Sequence, residues 1–327
     1  MLSAAIDVGS NTLRMLIGSA EEDMLSRIYL DRAITRLAEG VRETGMLSEE
    51  NMEKSLSVLK RFSHTIERYG VTDVKAIGTS ALREAENSSD FIERVLRETG
   101  IRIEIISGEE EAGLTAKGVM LGLRDVTAAK SVEPLLIIDI GGGSTEWIIY
   151  GKDTSHGTIP AGVVNLYEKF IKTDPPSHDE ISALNREIDL SLERDILKQA
   201  CPEEILNQVQ NDTFRVQHDI SITNLIGTGG TITTLASIDL GLKEYNPERI
   251  HGHTLSLERL YQIRDKLISL PFKERQAIPG LEIERADLII PGILLTIRIT
   301  EISGCGEIMV SDYGLLEGIM ITMMAGR

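Results

Sequence analysis

The sequence predicts an α/β protein made from one unit written twice, with its ligand held in a cleft between the copies. Two observations carry that reading. Residues 4–14 run Ala-Ala-Ile-Asp7-Val-Gly9-Ser10-Asn11-Thr12-Leu-Arg14, and residues 135–147 run Leu-Leu-Ile-Ile-Asp139-Ile-Gly141-Gly142-Gly143-Ser144-Thr145-Glu146-Trp147. Each is an apolar strand ending in Asp, a tight turn of small residues, and a second apolar strand. Strand and helix patterns then alternate in the same order in both halves, and ligands of duplicated units sit between the copies.

In the first half, period-two patterning predicts strands at Ala4–Val8, Leu13–Gly18 and Leu25–Ala33. A helix follows over Ser48–Tyr69, where Met52, Leu56, Leu59, Phe62 and Ile66 recur at three and four, and Gly70 stops it. Then come strand Val74–Ile77, helix Asp90–Thr99 stopped by Gly100, strand Ile101–Ile106 and a helix after Ser107. The second half predicts strands Leu135–Ile140, Thr145–Tyr150 and about Thr154–Pro160, then helices Val163–Ile171 and His178–Gln199. Strand Thr223–Ile226 runs into Gly227-Thr-Gly229-Gly-Thr231 and a helix to about Leu240. Helices Leu255–Ser269 and Ala286–Ser303, strand Glu307–Val310 and a helix from Asp312 or Tyr313 to about Met324 complete the chain. Pro202 to Asp219 is polar and reads as a surface loop or loosely helical insertion.

The turns carry the first chemistry. Small residues let backbone N–H groups converge on an anion, and hydroxyls add donors. The Asp at each strand end cannot hold a phosphate itself, but it can hold a Mg²⁺ that the phosphate also binds. Two such turns facing each other would clamp a phosphate chain from both sides.

Composition narrows the classes. Hydrophobic content of 42% supports packed cores, and 327 residues suffice for two domains. The formal charge of −17, from 51 acids against 34 bases, argues against nucleic acid as partner. A polyanionic substrate would then need bases along its path, for which Arg14, Arg32, Arg36, Arg42, Arg83 and Lys117 are candidates. Cys201 and Cys305 form neither a metal-ligand spacing nor a disulfide framework, which fits a reducing cytoplasm. Asp7 interrupts the first apolar run and Pro291 and Arg298 interrupt the most apolar later one, so neither a signal peptide nor a membrane span is expected.

Ser107-Gly-Glu109-Glu110-Glu111-Ala fits a helix capping box through Ser107 and Glu110. Capping explains Glu109 and Glu110. Glu111 is read as opening the second turn, where a carboxylate near a phosphate cleft could take a proton from water. Arg83 follows a strand end and is either a phosphate fork or a surface partner of Glu84 or Glu86. Gly229 lies in a glycine-rich turn that opens a helix, either an anion site or a plain turn. His251 and His253 lack ligand-spaced carboxylates or Cys, and Trp147 reads as packing.

With these pieces in place, the chain resembles the exopolyphosphatase / guanosine pentaphosphate phosphohydrolase family over nearly its whole length. The resemblance rests on Asp7-Val-Gly-Ser-Asn-Thr, Gly78-Thr-Ser-Ala-Leu-Arg83, Ile106-Ser-Gly-Glu-Glu-Glu111-Ala, Ile138-Asp139-Ile-Gly-Gly-Gly-Ser-Thr-Glu146, Gly227-Thr-Gly-Gly-Thr, Pro291-Gly and Ser311-Asp-Tyr-Gly-Leu-Leu-Glu317-Gly. It implies two actin-like ATPase (ribonuclease H-like) domains, residues 1–125 with about 304–327 and residues 126–303. It implies Glu111 as catalytic base, Asp139, Glu146 and Asp7 around Mg²⁺ or another divalent cation and its water, and Arg83 on a phosphate. Gly9, Ser10, Asn11 and Thr12 would form one phosphate loop, and Gly141, Gly142, Gly143, Ser144 and Thr145 the other. The implied substrate is inorganic polyphosphate, or alternatively guanosine pentaphosphate, with guanosine tetraphosphate as a competitor; a homodimer is suggested by the resemblance alone. Longer relatives append a helical C-terminal module that this sequence does not show. The rival classes are a kinase or ATPase of the same superfold, and a sensor without catalysis.

Overall fold

The computed structural model describes residues 2–21, 24–126, 134–151, 154–192, 222 and 224–325. The polar segment 202–219, and the far end of the helix expected to reach Gln199, lie outside them. The first half orders β1 (Ser3–Val8), β2 (Thr12–Glu21), β3 (Met24–Ile34), α1 (Val41–Thr44), α2 (Glu49–Arg68), β4 (Asp73–Gly78), α3 (Ser80–Glu84), α4 (Ser88–Thr99), β5 (Ile103–Ile105) and α5 (Gly108–Val126). The second orders β6 (Leu135–Ile140), β7 (Thr145–Tyr150), β8 (Ser155–Ile159), α6 (Val163–Phe170), α7 (His178–Leu192), β9 (Asn224–Thr228) and α8 (Gly229–Asp239). It continues through α9 (Pro247–Ile250), β10 (Thr254–Ser256), α10 (Leu257–Ser269), α11 (Phe272–Arg275), α12 (Ile289–Ile302), β11 (Glu307–Val310) and α13 (Leu315–Ala325).

Duplication is visible in the sheets. The first has the order β3-β2-β1-β4-β5 and the second repeats it as β8-β7-β6-β9-β11, with β10 added at the edge. In both, the first three strands are antiparallel and the crossover strands parallel. The sequence reading placed Leu255 and Ser256 inside a helix; with Thr254 they instead form β10, paired with β11, and the helix starts after them. The short helices α1, α3, α9 and α11 carry too few residues for a periodic signal.

Strand alternation decides which residues meet which helices. Ala4, Ile6 and Val8 of β1, with Leu13, Met15 and Ile17 of β2, pack on Leu56, Leu59 and Phe62 of α2 and Phe91 and Val95 of α4. The α2 periodicity supplies its face, Ser48 caps its start by accepting from the Asn51 amide, and Gly70 leaves it at φ +64°. Leu136, Ile138 and Ile140 of β6 play the same part in the second half, against α6, α7, α8, α10 and α12.

The opposite faces of the two sheets are covered crosswise. Helix α13 lays Leu315, Leu316, Ile319 and Met320 on Ala5, Leu16 and Ile77 of the first sheet. Helix α5, from the first half, lays Ala112, Ala116, Val119 and Leu123 on Ile137, Ile148 and Ile226 of the second. The two helices touch at glycines: a Cβ on Gly118 would lie 1.8 Å from the Gly314 carbonyl oxygen, and one on Gly318 1.8 Å from that of Leu114. Gly118→Val should therefore separate the helices and lower stability by about 3 kcal/mol. The shift of the urea midpoint measures this, and an unchanged midpoint would contradict the crossing contact.

Candidate active site

The covered faces also carry the chemistry. Residues 5 and 7 of β1 share a face, as do 137 and 139 of β6, so Asp7 and Asp139 stand at the ends of the faces under α13 and α5. Their cross-strand partners are Arg14 and Glu146. Directly opposite residues have Cβ atoms about 5 Å apart. The first copy therefore pairs an acid with a base, and the second pairs two acids.

The two turns close on each other. A Cβ on Gly142 would lie 3.1 Å from Ser10 Cβ and 3.2 Å from the Asn11 amide nitrogen, and one on Gly143 2.9 Å from Ser10 Oγ. Their carbonyls are held from behind. Ala38 N donates to Ser10 O, Thr35 and Arg36 N to Asn11 O, Val163 N to Gly141 O and Val164 N to Gly142 O. Asn165 Nδ2 donates to Gly143 O at 2.8 Å. Both polar atoms of the Asn11 side chain are buried without a partner, as is Asp7 Oδ1. Unpartnered buried polar atoms cost about 1–3 kcal/mol each, and a ligand that bonds them removes that cost.

Between the turns lies a cavity of about 140 Å³. It is lined by Asp7, Gly9, Ser10, Asn11, Thr12, Glu111, Asp139, Gly141, Gly142, Gly143, Ser144, Glu146 and Gly229, all singled out from sequence. Gly229, at φ +84°, lets the backbone reach Asp139: a Cβ there would lie 2.1 Å from Asp139 Oδ1. Thr145 and Arg83 lie elsewhere. Thr145 is fully buried and donates to the Ala161 carbonyl at 2.7 Å, so its hydroxyl ties the turn from behind. Arg83, on α3, does not line the cavity but donates to Ile106 O at 2.8 Å and to Glu111 Oε2 at 3.2 Å.

Glu111 is placed by its helix start. Ser107 and Glu110 form the reciprocal cap: Ser107 N donates to Glu110 Oε2 at 2.8 Å, and Glu110 N to Ser107 Oγ at 3.1 Å. Glu111 belongs to the first turn, not the second as the sequence reading had it, and faces inward, buried. Burial pushes its carboxyl up to about 8; Arg83 opposes the rise, while Asp7 and Asp139 add to it. Glu146, which accepts from Ser144 Oγ at 2.7 Å, is pushed well above the usual range by burial, then by Glu111 and Asp139. Burial also raises Asp139, against the pull of Arg14. Burial works against the charge on Arg14, yet Asp7 and Asp139 outweigh it and hold the guanidinium charged; its Nε donates to Asp7 Oδ2 at 2.8 Å.

The balance of charge here is unequal. Asp7, Glu111, Asp139, Glu146, Asp312 and Glu317 line the cavity against Arg14, Arg27, Arg32 and Arg285, six acids against four bases. A divalent cation supplies the missing charge, and carboxylate oxygens are its hard ligands. Among the described residues no three of His, Cys, Asp and Glu converge closely enough to form a metal site unaided. The donor set fits Mg²⁺, which keeps several waters and shares substrate phosphate oxygens.

Toward the rim the sequence reading was incomplete. Arg14 and Arg32 line the cavity as foreseen, joined by Arg27, Arg285 and Tyr245, which were missed. Arg285 is buried, donates to Glu282 Oε2 at 2.7 Å and Thr12 Oγ1 at 3.2 Å, and is one turn from α12 with no local signature. Arg36 instead clasps Asp287 with both nitrogens, at 2.7 and 3.0 Å. Exposed Arg42 and Lys117 do not line the cavity. His251 Nε2 lies 3.0 Å from Gly122 O and His253 Nε2 2.7 Å from Asp239 Oδ2.

A Glu raised in the folded state binds its proton there more tightly than in the unfolded chain. Stability is then lost as pH rises from about 4.5 toward 8. Glu111→Gln removes that loss, so its melting temperature should match the parent near pH 5 and exceed it by several degrees near pH 9 without divalent cations. Parallel melting curves at the two pH values would contradict the buried carboxyl.

The profile of the Ppx/GppA phosphatase family matches residues 16–326. The chain is 32% identical to the bifunctional 3-dehydroquinate synthase/phosphatase of Fusobacterium nucleatum over 98% of its own length, and spans 46% of that protein. It is 28% identical to exopolyphosphatase 2 of Mycobacterium tuberculosis, covering 98% of each. A solved structure of the Aquifex aeolicus Ppx/GppA enzyme superposes with a TM-score of 0.77 at 32% identity, over 98% of this chain and 99% of that one. An exopolyphosphatase from Cytophaga hutchinsonii superposes at 0.85 and 29% identity, over 100% and 98%. With the clamp, the acids and these likenesses in agreement, the chain belongs to the Ppx/GppA phosphatase family.

Proposed function

We propose that the protein is an exopolyphosphatase of the cytoplasm that hydrolyses the terminal phosphoanhydride of inorganic polyphosphate. The observation that carries this reading is Glu111, a buried carboxylate opening into the same small cavity as two opposed anion turns. The terminal phosphate enters between Gly9–Asn11 and Gly141–Ser144, whose backbone groups and hydroxyls take its oxygens. A cation that offsets the charge of Asp7 and Asp139 would remove their share of the rise at Glu111 and, with Arg83, favour its ionised form; Glu111 then accepts a proton from the attacking water, and Arg83 fixes the direction of its carboxylate. Ser144 holds Glu146 to orient the same water. Asp7 and Asp139 would hold Mg²⁺, with Glu146 beside it; the ion would offset charge on the phosphates. Hydrolysis breaks one P–O–P bond and releases orthophosphate and a chain one unit shorter. The division into residues 1–125 with about 304–327 and residues 126–303 is part of this reading, supported by α13 lying on the first sheet.

Guanosine pentaphosphate presents the same terminal anhydride. Rates measured side by side on the two substrates, with and without Mg²⁺, separate them, and turnover of ATP alone would point to a kinase or ATPase. Glu111→Gln should lower phosphate release by about 10²–10⁴ while polyphosphate binding survives; full release by that variant would sink the assignment. Arg83→Met should lower kcat about tenfold or more with KM nearly unchanged, because the base loses its anchor while the clamp stays intact. A rise in KM alone would make Arg83 a substrate contact.

A further inference from the structure

A second cavity, of about 610 Å³, opens on the far side of the crossed helices, between α5, α13 and the strands β7 and β8. Its walls are apolar: Leu25, Met120, Ile148, Tyr150, Ile321 and Met324. Its polar groups are Lys117 and Arg124 on α5 and His156 on β8, with Thr154. Among the described residues that line it there is no Asp or Glu, in a chain carrying 51 acids against 34 bases. Lys117 and Arg124 are both exposed and form no ion pair with any described residue.

Gly113 is an independent observation. It lies inside α5, where glycine costs about 1 kcal/mol relative to alanine. Its φ lies outside the left-handed region, and a Cβ there would meet nothing within 4 Å. Neither backbone nor packing calls for glycine at this point. Gly113 itself lines the cavity, with open space where a Cβ would stand.

We propose that this cavity binds a small free amphipathic anion, an acyl or aryl chain with one carboxylate or sulfonate head, and that its occupancy is felt at the catalytic cleft. The apolar walls take the chain, and Lys117 and Arg124 take the head. Both helices join the sites. Helix α5 carries Glu111 at its start and Lys117 about 9 Å further along; α13 presents Glu317 to the cleft and Ile321 and Met324 to the second cavity. Contact between them through Gly118, Gly314 and Gly318 leaves little room for one to move without the other.

The test uses the full chain and the fluorescent probe 8-anilinonaphthalene-1-sulfonate. Saturable one-to-one binding is expected, displaced by decanoate but poorly by decanol. The double variant Lys117→Glu/Arg124→Glu should bind the probe about tenfold more weakly with unchanged basal phosphate release. Gly113→Leu, which fills the space and raises helix propensity, should abolish binding. Decanoate should change phosphate release at least twofold in the parent and not in the double variant. Absence of saturable binding, equal binding by all three proteins, or phosphate release indifferent to bound decanoate would overturn the proposal. Only the coupling rests on the phosphatase reading. Probe binding with the expected variant pattern in a protein that released no phosphate would overturn that reading and leave the anion site supported.

Discussion

Four carboxylates crowd one poorly solvated space at the base of the cleft, with Arg14 and Arg83 reaching in from its edge, and the rest of the site answers to that imbalance. Like charges in a poorly solvated place shift their protonation rather than ionise together. Asp7 is held by Arg14 and Glu111 by Arg83, which leaves Asp139 and Glu146 opposite each other across two strands. A protein selected for stability alone would not keep that pair. Its persistence at the meeting point of two anion turns makes sense if positive charge arrives with the ligand.

The duplicated hairpin shows how one backbone device serves two chemical purposes. Asp7 with Arg14 and Asp139 with Glu146 occupy the same register in equivalent sheets. Changing one cross-strand partner from Arg to Glu turns a compensated pair into an acidic one. The turns remain alike because both need small residues to approach an anion, and their carbonyls are tied off from outside in both copies.

Much of this was legible in the sequence because the signals were local. Strand alternation, the Asp-to-glycine turns, the Ser107–Glu110 cap and the glycine stops each lie within a few residues, and the corresponding elements follow. Local patterns also located the two turns and the acids at the base of the cavity. What escaped depends on contacts between distant segments. Arg285 meets Thr12, Arg36 meets Asp287 and Arg27 meets Asp312 and Glu317, across more than 240 residues each. No periodicity announces such meetings. Arg83 was visible as a cation near a strand end, but its partner depended on where α5 would lie. Thr145 was grouped with its turn, although strand parity could have turned its side chain away.

The exchanged helices have a consequence for synthesis. One face of the N-terminal sheet is covered mainly by Leu315, Leu316, Ile319 and Met320, some 300 residues further along the chain than β1. While a ribosome is still making the second half, Ala5, Leu16 and Ile77 have no lid. The nascent N-terminal half must therefore wait, partly greasy, until α13 has been made, and contacts this distant in sequence are slow to form. The order of synthesis thus leaves this apolar face exposed to solvent for as long as the second half is being made.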